Sequence, residues 1–134
     1  MIVVDSNIIA YCWVNGPLTA LAQRIRVKDP DWHVPILWRS EMRSILAGYF
    51  RDRSLSREEV AIIADATESA LAGNEHLVAS ARVLDIVSES RLSAYDAEFV
   101  ALAISLSVPL VTADKAILKA FPEQVQSMEG FLAN

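Results

Sequence analysis

The feature that most constrains this chain is a repeated alternation. Short apolar runs, each only a few residues long, lead into longer segments with helical spacing. MIVV at the start, His33-Val34-Pro35-Ile36, His76-Leu77-Val78, Pro109-Leu110-Val111-Thr112 and Val125 to Met128 read as strands. The residue before Pro35 is driven to extended geometry, which supports the second of them. Between them, residues 7–14 read as a helix, and Pro17 starts a second with Leu18, Leu21, Ala22 and Ile25 on one side. Leu37 to Arg53 forms a third, with Trp38, Met42, Ile45, Leu46 and Tyr49 on its apolar face. Ser56 with Glu59 is a capping box for a helix running to Leu71 and ended by Gly73. A short helix over 80–91 follows, and Ser93 with Asp96 opens the next. Asp114 begins a last short helix that stops before Pro122.

Strands separated by helices predict a parallel sheet covered on both faces, a three-layer α/β/α arrangement. With 134 residues, 53% of them apolar, the chain can bury a core as one domain, 1–134, without staples. There is no repeat or Gly/Ser linker to divide it. No run approaches the roughly 18 apolar residues of a membrane span. The mean hydropathy of +0.30 is high for a soluble protein, which points to a sheet buried on both faces or a patch covered by a partner. Asp5 interrupts the apolar start, so the N-terminus lacks a secretory signal. Cys12 has no second thiol to pair with, and the expected setting is cytoplasmic.

A net charge of −5 argues against binding nucleic acid by bulk electrostatics. Arg39, Arg43, Arg51, Arg53 and Arg57 nevertheless fall in one short stretch, either a solvated helix face or a local basic surface. There is no glycine-rich phosphate loop, and the first acid lacks the close second acid of phosphoryl-transfer folds. His33 and His76 lack metal-ligand spacing, and Cys12 has no catalytic histidine.

The acids are more informative. Asp5 directly follows the first strand, and Asp114 lies two residues beyond Thr112. In open parallel sheets ligands bind beyond the carboxyl ends of the strands, where strand order reverses. If those two strands are neighbours, both acids rise on one rim. Each acid also has a plain explanation: Asp5 and Asp114 as helix caps, Asp96 as a capping-box acid, Glu41 as a solvated side chain. Against this, Asp5-Ser6-Asn7 offers three polar residues where a cap needs one. Asp96 shares a helix face with Phe99, Val100, Ala103 and Ile104, and Glu41 stands four residues before Ile45. Should Asp5, Glu41, Asp96 and Asp114 converge, pairs about 4–5 Å apart would repel by roughly 3–4 kcal/mol at an effective dielectric of 20. An all-oxygen, all-acid set suits Mg²⁺ or Mn²⁺ rather than zinc.

The segments VVDSN, VPILWRSEM, SAYDAEFVALA and LVTADKAIL, in this order and separation, resemble PIN-domain ribonucleases, most closely the small VapC-type toxins of toxin–antitoxin pairs. The resemblance covers nearly the whole chain. It implies a parallel sheet of about four to five strands and a metal-dependent endoribonuclease cutting single-stranded or loop RNA. It further implies a homodimer and a cognate antitoxin, with no membrane partner. Asp5, Asp96 and Asp114 would hold Mg²⁺ or Mn²⁺, with Glu41 as ligand or water-orienting base. Ser6 and Thr112 would orient water or carboxylates, and Asn7 would brace Asp5. Some relatives carry a further acid soon after the one at 114; here Lys115-Ala116-Ile117-Leu118 follow. Glu98 would be the compensating acid or a solvent-facing one, and Lys115 a phosphate contact or a solvated lysine. Two alternatives stand beside the toxin: a PIN nuclease of RNA maturation or decay without an antitoxin, and a non-catalytic PIN-fold binding module.

Overall fold

The computed structural model describes residues 1–134. Strand β1 (Ile2–Val4) is buried along its whole length, and Asp5 ends it by capping helix α1 (Ser6–Trp13). Helix α2 (Thr19–Lys28) starts two residues later than the proline predicts. The Thr19 hydroxyl donates to the Val14 carbonyl and accepts from the Gly16 N–H, which keeps Pro17 in the turn. Strand β2 (Trp32–Pro35) is followed by α3 (Trp38–Arg51), which ends before the expected Arg53 because that residue adopts a left-handed φ of 65°. Helix α4 (Arg57–Leu71) carries the complete Ser56–Glu59 capping box.

Strand β3 is Glu75–His76, shifted from the expected 76–78. Only Glu75 and His76 find partners, opposite Val34 and Pro35, and Leu77 beyond them is 86% exposed. Helix α5 (Ser80–Ser88) is shorter than predicted, and α6 (Ala94–Leu106) closes at the left-handed Ser107. Strand β4 (Leu110–Val111), helix α7 (Lys115–Ala120) and strand β5 (Val125–Gln126) complete the alternation. The last strand stops short of Met128 because Ser127 caps a further helix, α8 (Met128–Ala133). Lys28 fastens α8 to α2 by donating to the carbonyls of Phe131 and Asn134.

The strands form one sheet in the order β3-β2-β1-β4-β5, every pair parallel. The chain moves from β1 to β3 in one direction, then returns past β1 to β4 and β5. Right-handed crossovers therefore place α1–α4 and α5–α7 on opposite faces, giving three layers. The inner strands are apolar apart from His33, with Val3, Val4, Val34, Leu110 and Val111 at 0% exposure. Strand order reverses between β1 and β4, where Val3 faces Leu110 and Val4 faces Val111. The acids that follow these two strands consequently rise together from the same rim.

Candidate acidic cleft

A cleft of about 240 Å³ opens at that rim. Asp5, Ser6, Asn7, Glu41, Asp96 and Asp114 all line it. Acids separated by up to 109 positions thus meet, each of the four delivered by the first turn or cap of a different helix. Ser44, Ile45, Phe99 and Ile117 complete the lining, and no lysine or arginine contributes to it. Ser44 carries no chemical signal of its own in the sequence, and only its place one turn after Glu41 on the same helix face brings it to the cleft.

Asp5 is 6% exposed and serves two structural purposes at once. Its Oδ1 accepts from the Ile8 N–H at 3.1 Å, capping α1, and its Oδ2 accepts from the Thr112 hydroxyl. Thr112 is itself fully buried beneath the cleft, and its Oγ1 accepts from the Asp114 N–H at 3.0 Å. One hydroxyl therefore links the acid after β1 to the acid after β4. Burial raises the Asp5 carboxyl to about 6 against the lowering effect of those hydrogen bonds, with the charges of Asp114 and Glu41 adding to the rise.

The cap and cleft readings of the acids are not exclusive. Asp114 Oδ1 accepts from the Ala116 and Ile117 N–H groups at 2.8 and 3.1 Å, while its residue lines the cleft. Asp96 behaves differently. The Ser93 hydroxyl accepts from its backbone N–H at 3.1 Å, but no capping box closes, so its carboxylate is left to the cleft. Burial pushes Asp96 upward, reinforced by Asp114. Glu41 accepts from the Ser6 hydroxyl at 2.8 Å and is raised by burial, with Asp96 contributing.

Glu98 lies outside the lining yet close enough to Glu41 for their charges to interact; burial first, and then Glu41, raises it. Lys115 is exposed at the start of α7 and does not line the cleft. Of the arginine stretch, Arg39 is structural: it bonds Glu75 at 2.7 and 2.8 Å and Glu68 at 2.5 Å, joining α3 to β3 and α4. Arg43 and Arg57 edge an apolar groove between α3 and α4. His33 and His76 hydrogen-bond each other at 2.8 Å, and Cys12 is buried.

The PIN-domain family model matches residues 2–122. The chain belongs to the PIN-domain family. Similar solved structures agree on the PIN fold. PAE2754 from Pyrobaculum aerophilum superposes with a TM-score of 0.72 at 18% identity, covering 98% of this chain and 93% of that one. FitAcB from Neisseria gonorrhoeae gives 0.76 at 17% identity, covering 96% and 99%. FitAB bound to an IR36 DNA fragment gives 0.75 at 19%, covering 96% and 95%. No curated protein matches the sequence significantly. No helix of this PIN protein is long and apolar enough to cross a membrane.

The donor set of the cleft fits a hard divalent cation. Its charged groups are all carboxylates, no basic side chain neutralises them, and apolar walls at Ile45, Phe99 and Ile117 strengthen their mutual repulsion. The carboxylates share the cleft wall without forming a ready-made cage; no three acidic, histidine or cysteine side chains converge on one point.

Proposed function

We propose that this PIN-domain protein is a Mg²⁺- or Mn²⁺-dependent endoribonuclease, the toxin of a toxin–antitoxin pair. The observation that carries the reading is the meeting of Asp5, Glu41, Asp96 and Asp114 on one cleft free of basic side chains. Four carboxylates there need a cation, and a cation is also what lets an acidic cleft accept a polyanion.

Asp5, Asp96 and Asp114 are the residues that would hold the ion. When bound, it supplies charge neutralisation at the phosphodiester and makes an attacking water more acidic. Thr112 fixes the orientation of Asp5 from below, and Ser6 holds Glu41 by its Oε1. Glu41, with its proton affinity raised by burial, accepts the proton of the attacking water. The water oxygen bonds to phosphorus, the bond to the ribose oxygen breaks, and that oxygen leaves with a proton from solvent. In this reading Asn7, exposed at the open edge of the cleft, would brace Asp5 or meet the substrate.

The exposed Val27, Ile62, Leu77, Leu84 and Tyr95, and the apolar α3–α4 groove, support a protein partner that covers them. In this reading the covering partners are a cognate antitoxin and a second copy, in a cytoplasmic protein whose single domain spans 1–134. FitAB, one of the similar structures, is bound to a DNA fragment, which supports an antitoxin-bound form that contacts nucleic acid.

Purified protein should cleave single-stranded RNA with Mg²⁺ or Mn²⁺ and stop in EDTA. Undiminished cleavage in EDTA would contradict the metal mechanism. Expressed alone, the chain should arrest growth, and co-expression of the small protein encoded beside it should relieve the arrest. Cleavage without toxicity would leave a nuclease of RNA maturation or decay, and binding without cleavage a non-catalytic module.

A further inference from the structure

The cleft poses a problem for any RNA. Its lining offers four carboxylates and no cationic side chain, so phosphate and ribose oxygens beyond the scissile position must be met by neutral donors. Asn7 and Ser44 are two such donors at its edge. The surfaces that lead away from them point to more.

Helices α1 and α3 pack against each other. On α1, Tyr11 stands one turn beyond Asn7; on α3, Tyr49 stands one turn beyond Ile45 and two beyond Glu41. Both tyrosines therefore continue the cleft-lining faces of their helices. Both are half-buried, with their rings packed against the core. Neither hydroxyl has a hydrogen-bond partner within the protein, and neither is among its buried unpartnered polar atoms, so both reach solvent and are free to donate outward. Gly48, one turn beyond Ser44 and next to Tyr49 in the chain, is exposed, and an added Cβ there would meet nothing within 4 Å. The surface beside the tyrosines is thus bare enough for a strand to lie close to the helix.

Their position relative to the acids has an independent sign. Burial raises the Tyr11 hydroxyl, and the charges of Asp5 and Tyr49 raise it further. Tyr11 therefore lies within interacting distance of both the Asp5 carboxylate and the Tyr49 phenol, and it stays a proton donor at neutral pH.

We infer that Tyr11 and Tyr49 form a positioning subsite on the α1–α3 side of the cleft, donating hydroxyl hydrogen bonds to backbone oxygens of the nucleotide next to the cleaved bond. This assignment rests on the ribonuclease reading. The contacts are to phosphate or ribose, so the subsite favours single-stranded RNA without choosing a base. Its rings provide rigidity and its hydroxyls provide the contact.

The test compares wild type with Tyr11→Phe, Tyr49→Phe and the double variant, which keep the packed rings and remove only the hydroxyls. Cleavage of a short single-stranded RNA in Mn²⁺ should show KM raised about threefold to tenfold per hydroxyl, with kcat changed much less. Binding of the same fluorescein-labelled RNA in Ca²⁺, read by anisotropy, should weaken by a similar factor. Melting temperatures should match wild type. Unchanged KM and unchanged RNA binding in the double variant would overturn the subsite. If wild type fails to cleave but the double variant still loses RNA binding, the nuclease reading falls and the subsite stands.

Discussion

Thr112 donates its hydroxyl to the Asp5 carboxylate across the β1–β4 junction, while the same oxygen accepts the Asp114 N–H. Two acids that the sequence holds 109 positions apart are thereby set by one buried side chain. Thr112→Val keeps the volume and removes both bonds. It should lower stability by about 1–3 kcal/mol, because a buried carboxyl and an N–H lose a partner. Cleavage should fall by at least about tenfold, through misplacement of Asp5 and Asp114. Urea unfolding and initial cleavage rates check the two effects, and Thr112→Ser should restore much of both.

Asp5 makes the fold pH-sensitive with a definite sign. Its carboxyl is raised to about 6 from 3.8, so the folded state prefers it protonated. That contribution is fully present below pH 3.8 and is lost as pH rises through about 6. At neutral pH the loss amounts to roughly 3 kcal/mol, since each pKa unit is worth about 1.36 kcal/mol. In EDTA, wild type should lose stability relative to Asp5→Asn between pH 4.5 and 7.5, as read from urea midpoints. Parallel stability curves for the two proteins would show that Asp5 does not titrate in this window.

The same ionisation governs cation affinity. A ligand that binds only the folded, ionised cleft raises the melting temperature in proportion to its affinity. Mg²⁺ or Mn²⁺ should stabilise wild type, and more at pH 7.5 than at pH 5.5. The shift should shrink in Asp5→Asn, Asp96→Asn and Asp114→Asn. Equal shifts in all three variants would mean that the cation binds elsewhere.

Ser6 holds Glu41 through a single 2.8 Å hydrogen bond. Losing that bond removes an influence that lowers the Glu41 carboxyl, so Ser6→Ala should raise it further. The acidic limb of the cleavage pH profile should move to higher pH, with a rate loss of roughly tenfold at neutral pH. A uniform rate loss with an unmoved profile would give Ser6 a different role.

Much of this arrangement is legible in the residues, for a local reason. Each acid adjoins a pattern that declares its element: Asp5 after an apolar strand, Asp96 after a Ser93 cap, Asp114 before a short helix. The pairing of β1 with β4 is not local. It follows from strand order, which the sequence only permits. Strand β3 is misplaced by the pattern because Leu77 and Val78 look more strand-like than Glu75, yet only Glu75 and His76 lie opposite β2. Helix α8 escapes because its six residues carry little periodic signal, and its carbonyls are held by Lys28, about a hundred residues away. Tyr49 reads as part of an apolar helix face and Tyr11 carries no functional signal of its own, so their relation to the cleft emerges only when α1 packs on α3.

Mapping RNA ends is the sharpest test of whether the four acids form one RNA-cleaving site. Total RNA is incubated in Mn²⁺ with wild type or with Asp96→Asn, a change that leaves the Ser93 cap to the helix N–H intact. If the four acids form one such site, wild type produces discrete new ends at unpaired positions and Asp96→Asn produces none. The same ends from both proteins would contradict a shared site.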